Sequence, residues 1–220
     1  INQGTVANSN YAINYVSRNF AITPATLALT GFRIYDGTVV INGSSMQVSG
    51  VNGETFAVSG SANLTTKNVV FNSNSQITSQ ALQDVIGLTL TGNAGAALSN
   101  YSSLTTANTQ VTITKRPLTL TAPSINKVYD GAYSYSMTTA DYTTMSNLLV
   151  GGDTVTSASV AFAGNNPNVG SNKVVNLLSA TISDGNSGSN YNASLANSTN
   201  SQISCLLYTS DAADDTPCVD

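Results

Sequence analysis

A tyrosine, an aspartate and a glycine stand together twice in this chain, as "RIYDGT" around Tyr35-Asp36-Gly37 and as "KVYDGA" around Tyr129-Asp130-Gly131. A phenol beside a carboxylate could pass a proton, and the carboxylate could act as a base. Either role needs a second poised group within hydrogen-bond reach. The chain contains no histidine, and the first 203 residues carry seven acids, Asp36, Glu54, Asp84, Asp130, Asp141, Asp153 and Asp184, mostly at turns. A hydrolase built on paired carboxylates would need two of them converging on one bond. The competing reading is local structure. Asp-Gly favours a tight turn because both residues tolerate positive φ, and the tyrosine ahead of it reads as an anchor, its ring in the core and its hydroxyl bonded to backbone near the turn. Recurrence of the whole motif suits the structural reading, and no catalytic residue and no enzymatic activity is expected.

Other chemistry-bearing patterns are sparse. The sequence shows no phosphate-binding loop, no metal-ligand cluster and no basic aromatic patch, so neither a cofactor nor a nucleic-acid partner is expected. The loop "SDGNSGSN" offers oxygen ligands but one carboxylate, Asp184, and reads as a solvated turn rather than a calcium site. Asn42, Asn63, Asn100, Asn192 and Asn197 open Asn-x-Ser/Thr triplets, which so Asn- and Thr-rich a chain supplies by chance.

The elements that carry the motif repeat with it. "GETF" (53–56) answers to "GDTV" (152–155), "VVF" (69–71) to "VAF" (160–162), and Asn100-Tyr101 to Asn190-Tyr191, all in the same order and 90 to 99 residues apart. A third trace, Asn10-Tyr11, stands about ninety residues before Asn100-Tyr101. The expected organisation is a C-terminal remnant of a preceding repeat at 1–21, one repeat at 22–114, a second at 115–203, and a tail at 204–220. Within each repeat the apolar residues alternate, as in "LTLT" and "VTIT", with turn residues every eight to twelve positions. That pattern predicts all-β architecture, tandem small β-sandwich or Greek-key-like units. Helical turns are expected at 78–86 and 138–149. No Gly/Ser spacer separates the repeats; "NTQVTITKRPLTLTA" continues the strand pattern across the boundary, so the bodies are expected to be held close.

Charge sharpens the division. Charged residues make up 8% of the chain. The seven basic residues balance the seven acids of 1–203, so the net charge of −4 resides in Asp211, Asp214, Asp215 and Asp220. Cys205 and Cys218 lie in the same stretch, where the Ser/Thr/Asn pattern stops. "CLLYTSDAADD" resembles a translated sequencing-adapter read-through, and 204–220 is expected to be non-native.

On these landmarks the repeats resemble the YDG domain of large bacterial cell-surface proteins, found in tandem in filamentous-haemagglutinin-like adhesins. The residues that carry the resemblance are Tyr35-Asp36-Gly37, Tyr129-Asp130-Gly131, Asn100-Tyr101, Asn190-Tyr191, the two central Gly-acid-Thr runs and "VGSNKVV" (169–175). "NSNSQITSQALQDV" in the first repeat departs from the pattern. The resemblance implies a secreted, extracellular stalk on the bacterial surface, associated with the outer membrane, which projects a distal adhesive region. Its partners would be neighbouring repeats of the same chain, with no membrane insertion in this segment. The alternative is that the repeats themselves bind glycan, host proteins or neighbouring cells, which an exposed patch of Tyr133, Tyr135 and Tyr142 would favour.

Overall fold

The computed structural model describes residue 10, residues 19–93 and residues 95–205; the expectations placed on 1–9, 11–18 and 206–220 lie outside the described residues. The chain forms two bodies in sequence, both made mainly of strands, as the alternation requires. The first contains β1 (Ala28–Ile34), β2 (Val40–Asn42), β3 (Met46–Ser49), β4 (Thr55–Asn63), β5 (Val70–Phe71), β6 (Ile77–Thr78), β7 (Leu88–Gly92) and β8 (Thr109–Thr114). The second contains β9 (Arg116–Thr121), β10 (Asn126–Val128), β11 (Ser134–Tyr135), the helix α1 (Thr139–Ser146), β12 (Thr154–Phe162), β13 (Gly170–Ser183), β14 (Tyr191–Ala196) and β15 (Ser198–Ser204).

In the first body the opening and closing strands lie side by side. β1 runs antiparallel to β3, with Leu29 opposite Val48, and parallel to β8, with Gly31 opposite Val111. The other edge of β8 exchanges two backbone hydrogen bonds of 2.9 and 2.8 Å between Val111 and Gln80. Leu64, just past β4, bridges Leu82. These links bend the ladder around a core that includes Leu29, Val48, Phe56, Leu64, Leu82, Val111 and Ile113. In β8 the period of two is plain: Thr109, Val111 and Ile113 point inward.

The second body has comparable strand pairings, with differences that the sequence explains. Its sheet runs β10-β15-β13-β12-β11, with β9 and β14 paired in parallel beside it. The continuous β1 of the first body is here divided into β9 and β10 at Ala122-Pro123-Ser124, because proline offers no N–H to a ladder and restricts the residue before it. Where the first body inserts β3, the second inserts α1. Thr138 caps that helix, its side chain accepting from the Asp141 N–H while the Asp141 carboxylate accepts from the Thr138 N–H at 2.8 Å. Met145 is the helix residue that enters the core.

The expected helical turn at 138–149 is therefore present, and the one at 78–86 is not. There the Gln80 N–H donates to Val111 O, and the Leu82 N–H to Thr109 Oγ1 at 2.9 Å, so tertiary pairing takes the donors a helix would use. Register also revises one alignment. Leu64 N–H donates to Val39 O at 2.9 Å and Phe162 N–H to Tyr133 O at 2.8 Å, which puts Leu64, not Phe71, in the place of Phe162. Likewise Tyr35 N–H meets Thr114 O and Tyr129 N–H meets Ser204 O, so Ser204 closes the second body as Thr114 closes the first.

Candidate functional site

The Tyr-Asp-Gly turns are not hairpins. β1 pairs with β3 and β8, whereas β2 pairs with β4; β10 pairs with β15, whereas β11 pairs with β12. Each turn passes the chain from one part of its sheet to another, and a basic side chain holds it. Asp36 Oδ1 accepts the Thr38 N–H at 2.9 Å, and Asp130 Oδ1 accepts the Ala132 N–H at the same distance. Gly37 and Gly131 follow at φ +79° and +76°. Arg33 donates to Asp36 Oδ2 at 3.2 Å, to Val40 O at 2.5 Å and to Thr38 O. Lys127 repeats this with Asp130 Oδ1 at 2.6 Å, Ala132 O at 2.7 Å and Ser134 O at 3.3 Å. The cation at that position neutralises the aspartate and donates to two backbone carbonyls on the far side of the turn. Its ammonium, with the Ala132 N–H, holds Asp130 below the usual carboxylate range.

The tyrosines part company. Tyr129 is 45% exposed, whereas Tyr35 is 0% exposed. Tyr35 leaves its own body: its hydroxyl donates to Asp153 Oδ2 of the second body at 2.9 Å, and Tyr191 donates to the same oxygen at 2.8 Å. The hydroxyl partner is thus a distant carboxylate and not nearby backbone, a correction to the anchor expected from sequence. The Val150 N–H donates to the Tyr191 hydroxyl at 3.0 Å, and Lys67 Nζ lies 3.3 Å from Asp153 Oδ1. The two rings meet edge to face at 5.4 Å. Burial, then the carboxylate, raises Tyr35 well above the ordinary phenol range. Tyr191 is pushed up to about 12, chiefly by burial. Both phenols stay neutral donors to a buried anion, and Lys67 supplies the counter-charge.

Around this cluster the first body docks on the second through backbone. A Cβ built on Gly37 would lie 2.4 Å from the Gly151 Cα, closer than any real Cβ contact, and both residues have positive φ. Only glycine at both positions permits the approach. Beside it, Asn190 is fully buried; its Oδ1 accepts the Val69 N–H at 2.9 Å and its Nδ2 donates to Asn68 Oδ1 at 2.9 Å. Asn186 Nδ2 adds a bond to Val69 O at 3.1 Å. The loop presenting these amides is organised by Asp184, whose carboxylate accepts the N–H groups of Asn186, Gly188 and Asn190 at 2.7, 2.8 and 3.0 Å. Asp184 is 2% exposed, so the solvated turn expected here is instead a buried backbone cradle. Among the described residues no three His, Cys, Asp or Glu side chains gather as a metal site.

Asn100-Tyr101 forms the corresponding face of the first body. Tyr101 donates to the Glu54 carboxylate, accepts the Val51 N–H at 2.9 Å and packs edge-on against Phe56 at 5.2 Å. Its hydrogen bond to Glu54 raises it above the ordinary phenol range. Asn100 is exposed where Asn190 is buried. Of the residues singled out by sequence, Tyr35, Gly37, Asn190 and Tyr191 therefore meet at one joint. Asp36 and Asp130 shape their own turns, while Tyr129, Gly131, Asn100 and Tyr101 occupy the matching positions elsewhere. Sequence reasoning missed Lys67, Val69 and the partnership of Asp153 with both tyrosines. The available signal was the recurrence of an acid, Glu54 or Asp153, together with the Asn-Tyr pair.

Residues 114–201 match the family described as the YDG domain. No curated protein and no solved structure matches the chain. Among the described residues no helix is long and apolar enough to cross a membrane.

Proposed function

We propose that this chain, whose residues 114–201 form a YDG domain, is part of the stalk of a secreted bacterial surface adhesin of filamentous-haemagglutinin-like type. In this reading tandem YDG repeats hold a distal adhesive region away from the cell. The extracellular setting, the repeats as one another's partners, and a foreign origin for residues 204–220 belong to the same proposal. The observation that supports it most is the joint: Tyr35 of the first body is wholly buried against Asp153 and Tyr191 of the second. A spacer needs successive bodies fixed in direction, and a buried, charge-centred contact with two touching glycines resists bending far better than a polar linker would.

The alternative, direct binding by the repeats, draws on exposed tyrosines. Tyr133 is 44% exposed, but Tyr135 and Tyr142 pack against the core, and the Tyr135 hydroxyl is held by Asp141 at 3.2 Å. The three do not make one open aromatic patch, which favours the spacer. Small-angle scattering tests it. A body of this size has a radius of gyration of about 12 Å, and the chain should scatter as a particle about twice as long as one body, with a single well-defined inter-body distance. A broad distribution of that distance would refute the stalk reading.

A further inference from the structure

Two of the residues through which the first body meets the second, Tyr35 and Val69, have counterparts on the second body, and there they are exposed. Tyr35 and Val69 are 0% and 2% exposed in the joint, against 45% for Tyr129 and 46% for Val169. The equivalence of the turns rests on the shared basic clamp described above. That of the shoulders rests on three features. Asn68-Val69 and Asn168-Val169 each follow the aligned pair Leu64 and Phe162. They precede the segments that pair with the closing strands, Gln80 on Val111 and Lys173 on Ser201. Each also begins with a local side-chain turn, the Asn68 N–H on Thr66 Oγ1 at 3.2 Å and the Asn168 N–H on Asn166 Oδ1 at 2.8 Å. The receiving side recurs too, with Glu54, Asn100 and Tyr101 in the places of Asp153, Asn190 and Tyr191.

We propose that the Tyr129-Asp130-Gly131 turn, with Asn168 and Val169, docks on the Glu54, Asn100 and Tyr101 face of a second copy of this chain, head to tail, in the orientation of the joint within one chain but with the two backbones held further apart by the Asn52 side chain. The contact is heterologous, so it propagates head to tail past the dimer. Two differences make it weaker than the internal joint. Pro167 stands where Lys67 supplies the counter-charge. Asn52 stands where Gly151 touches Gly37: a Cβ on Gly151 would reach within 2.5 Å of the Gly37 Cα, and Asn52 carries that atom. Asn52 already has a left-handed backbone, φ 53°, so glycine fits there without rearrangement.

Sedimentation velocity of the whole chain over a wide concentration range tests the proposal. The average mass should rise with concentration without levelling at a dimer. Asn52→Gly should reach the same mass at about tenfold lower concentration, and Tyr129→Ala, at a half-exposed position, should need at least tenfold more, each tenfold step being about 1.4 kcal/mol of contact energy. Circular dichroism checks that both variants keep the wild-type fold. Three chains that all stay monomeric, or two variants that sediment as the wild type does, would overturn the proposal. The proposal extends the stalk reading from one chain to rows of copies, and its failure would leave the internal joint standing, because that joint is tested separately through Asp153.

Discussion

At the residue scale the joint depends on one carboxylate. Asp153 is 7% exposed and receives two phenol hydroxyls and an ammonium. Removing a buried, fully bonded charge leaves its partners unsatisfied, so Asp153→Ala should destabilise the chain by about 3 kcal/mol in denaturant unfolding. The same substitution made at two equivalent tyrosines should separate anchor from turn. Tyr35→Phe should cost about 1.5–3 kcal/mol, the worth of a hydrogen bond to a charged group, and Tyr129→Phe close to nothing, since no partner for its hydroxyl is found among the described residues. Alkali acts on the same cluster. A phenol whose folded pKa lies above its unfolded value of about 10 contributes stability that is full below that pH and is lost as pH rises through the folded value. The joint should therefore hold at pH 9 and weaken between about 10 and about 12, the value to which Tyr191 is pushed. A spectrophotometric titration of the ten tyrosines should show a late-ionising fraction that Asp153→Asn shifts to lower pH.

At the element scale the turns and the helix obey local rules that were legible in the sequence, while their partners were not. Alternation revealed the strands of both bodies, and Asp-Gly revealed the turns. The Thr-x-x-Asp run at Thr138 to Asp141 explains why one of two expected helical turns forms: its cap is intrinsic, whereas the donors at Gln80 and Leu82 are taken by β8. Nothing in "RIYDGT" or "KVYDGA" tells which tyrosine is buried, because that depends on what lies opposite, and the residues opposite Tyr35 are more than a hundred positions away. Gly37 carries the same lesson. Its positive φ would suit any Asp-Gly turn, but its contact with the Gly151 Cα exists only in the joint. Gly37→Ala should thus cost more than the roughly 1 kcal/mol of a left-handed alanine, while Gly131→Ala, with open space around its Cβ, should cost only that; chemical denaturation of the two variants compares them directly.

At the scale of the whole molecule, the buried apolar residues of the two bodies form one continuous cluster, and the bodies are locked by a contact that neither could make alone. Their coupling is the physical content of the stalk reading, because a rod transmits direction only where adjacent units cannot rotate independently. Scanning calorimetry of the wild type and of Asp153→Ala measures that coupling most directly. The predicted result is a single cooperative transition in the wild type that Asp153→Ala resolves into two, the lower of them well below the original. Two transitions already present in the wild type, both unmoved by Asp153→Ala, would contradict the joint and the stalk built on it.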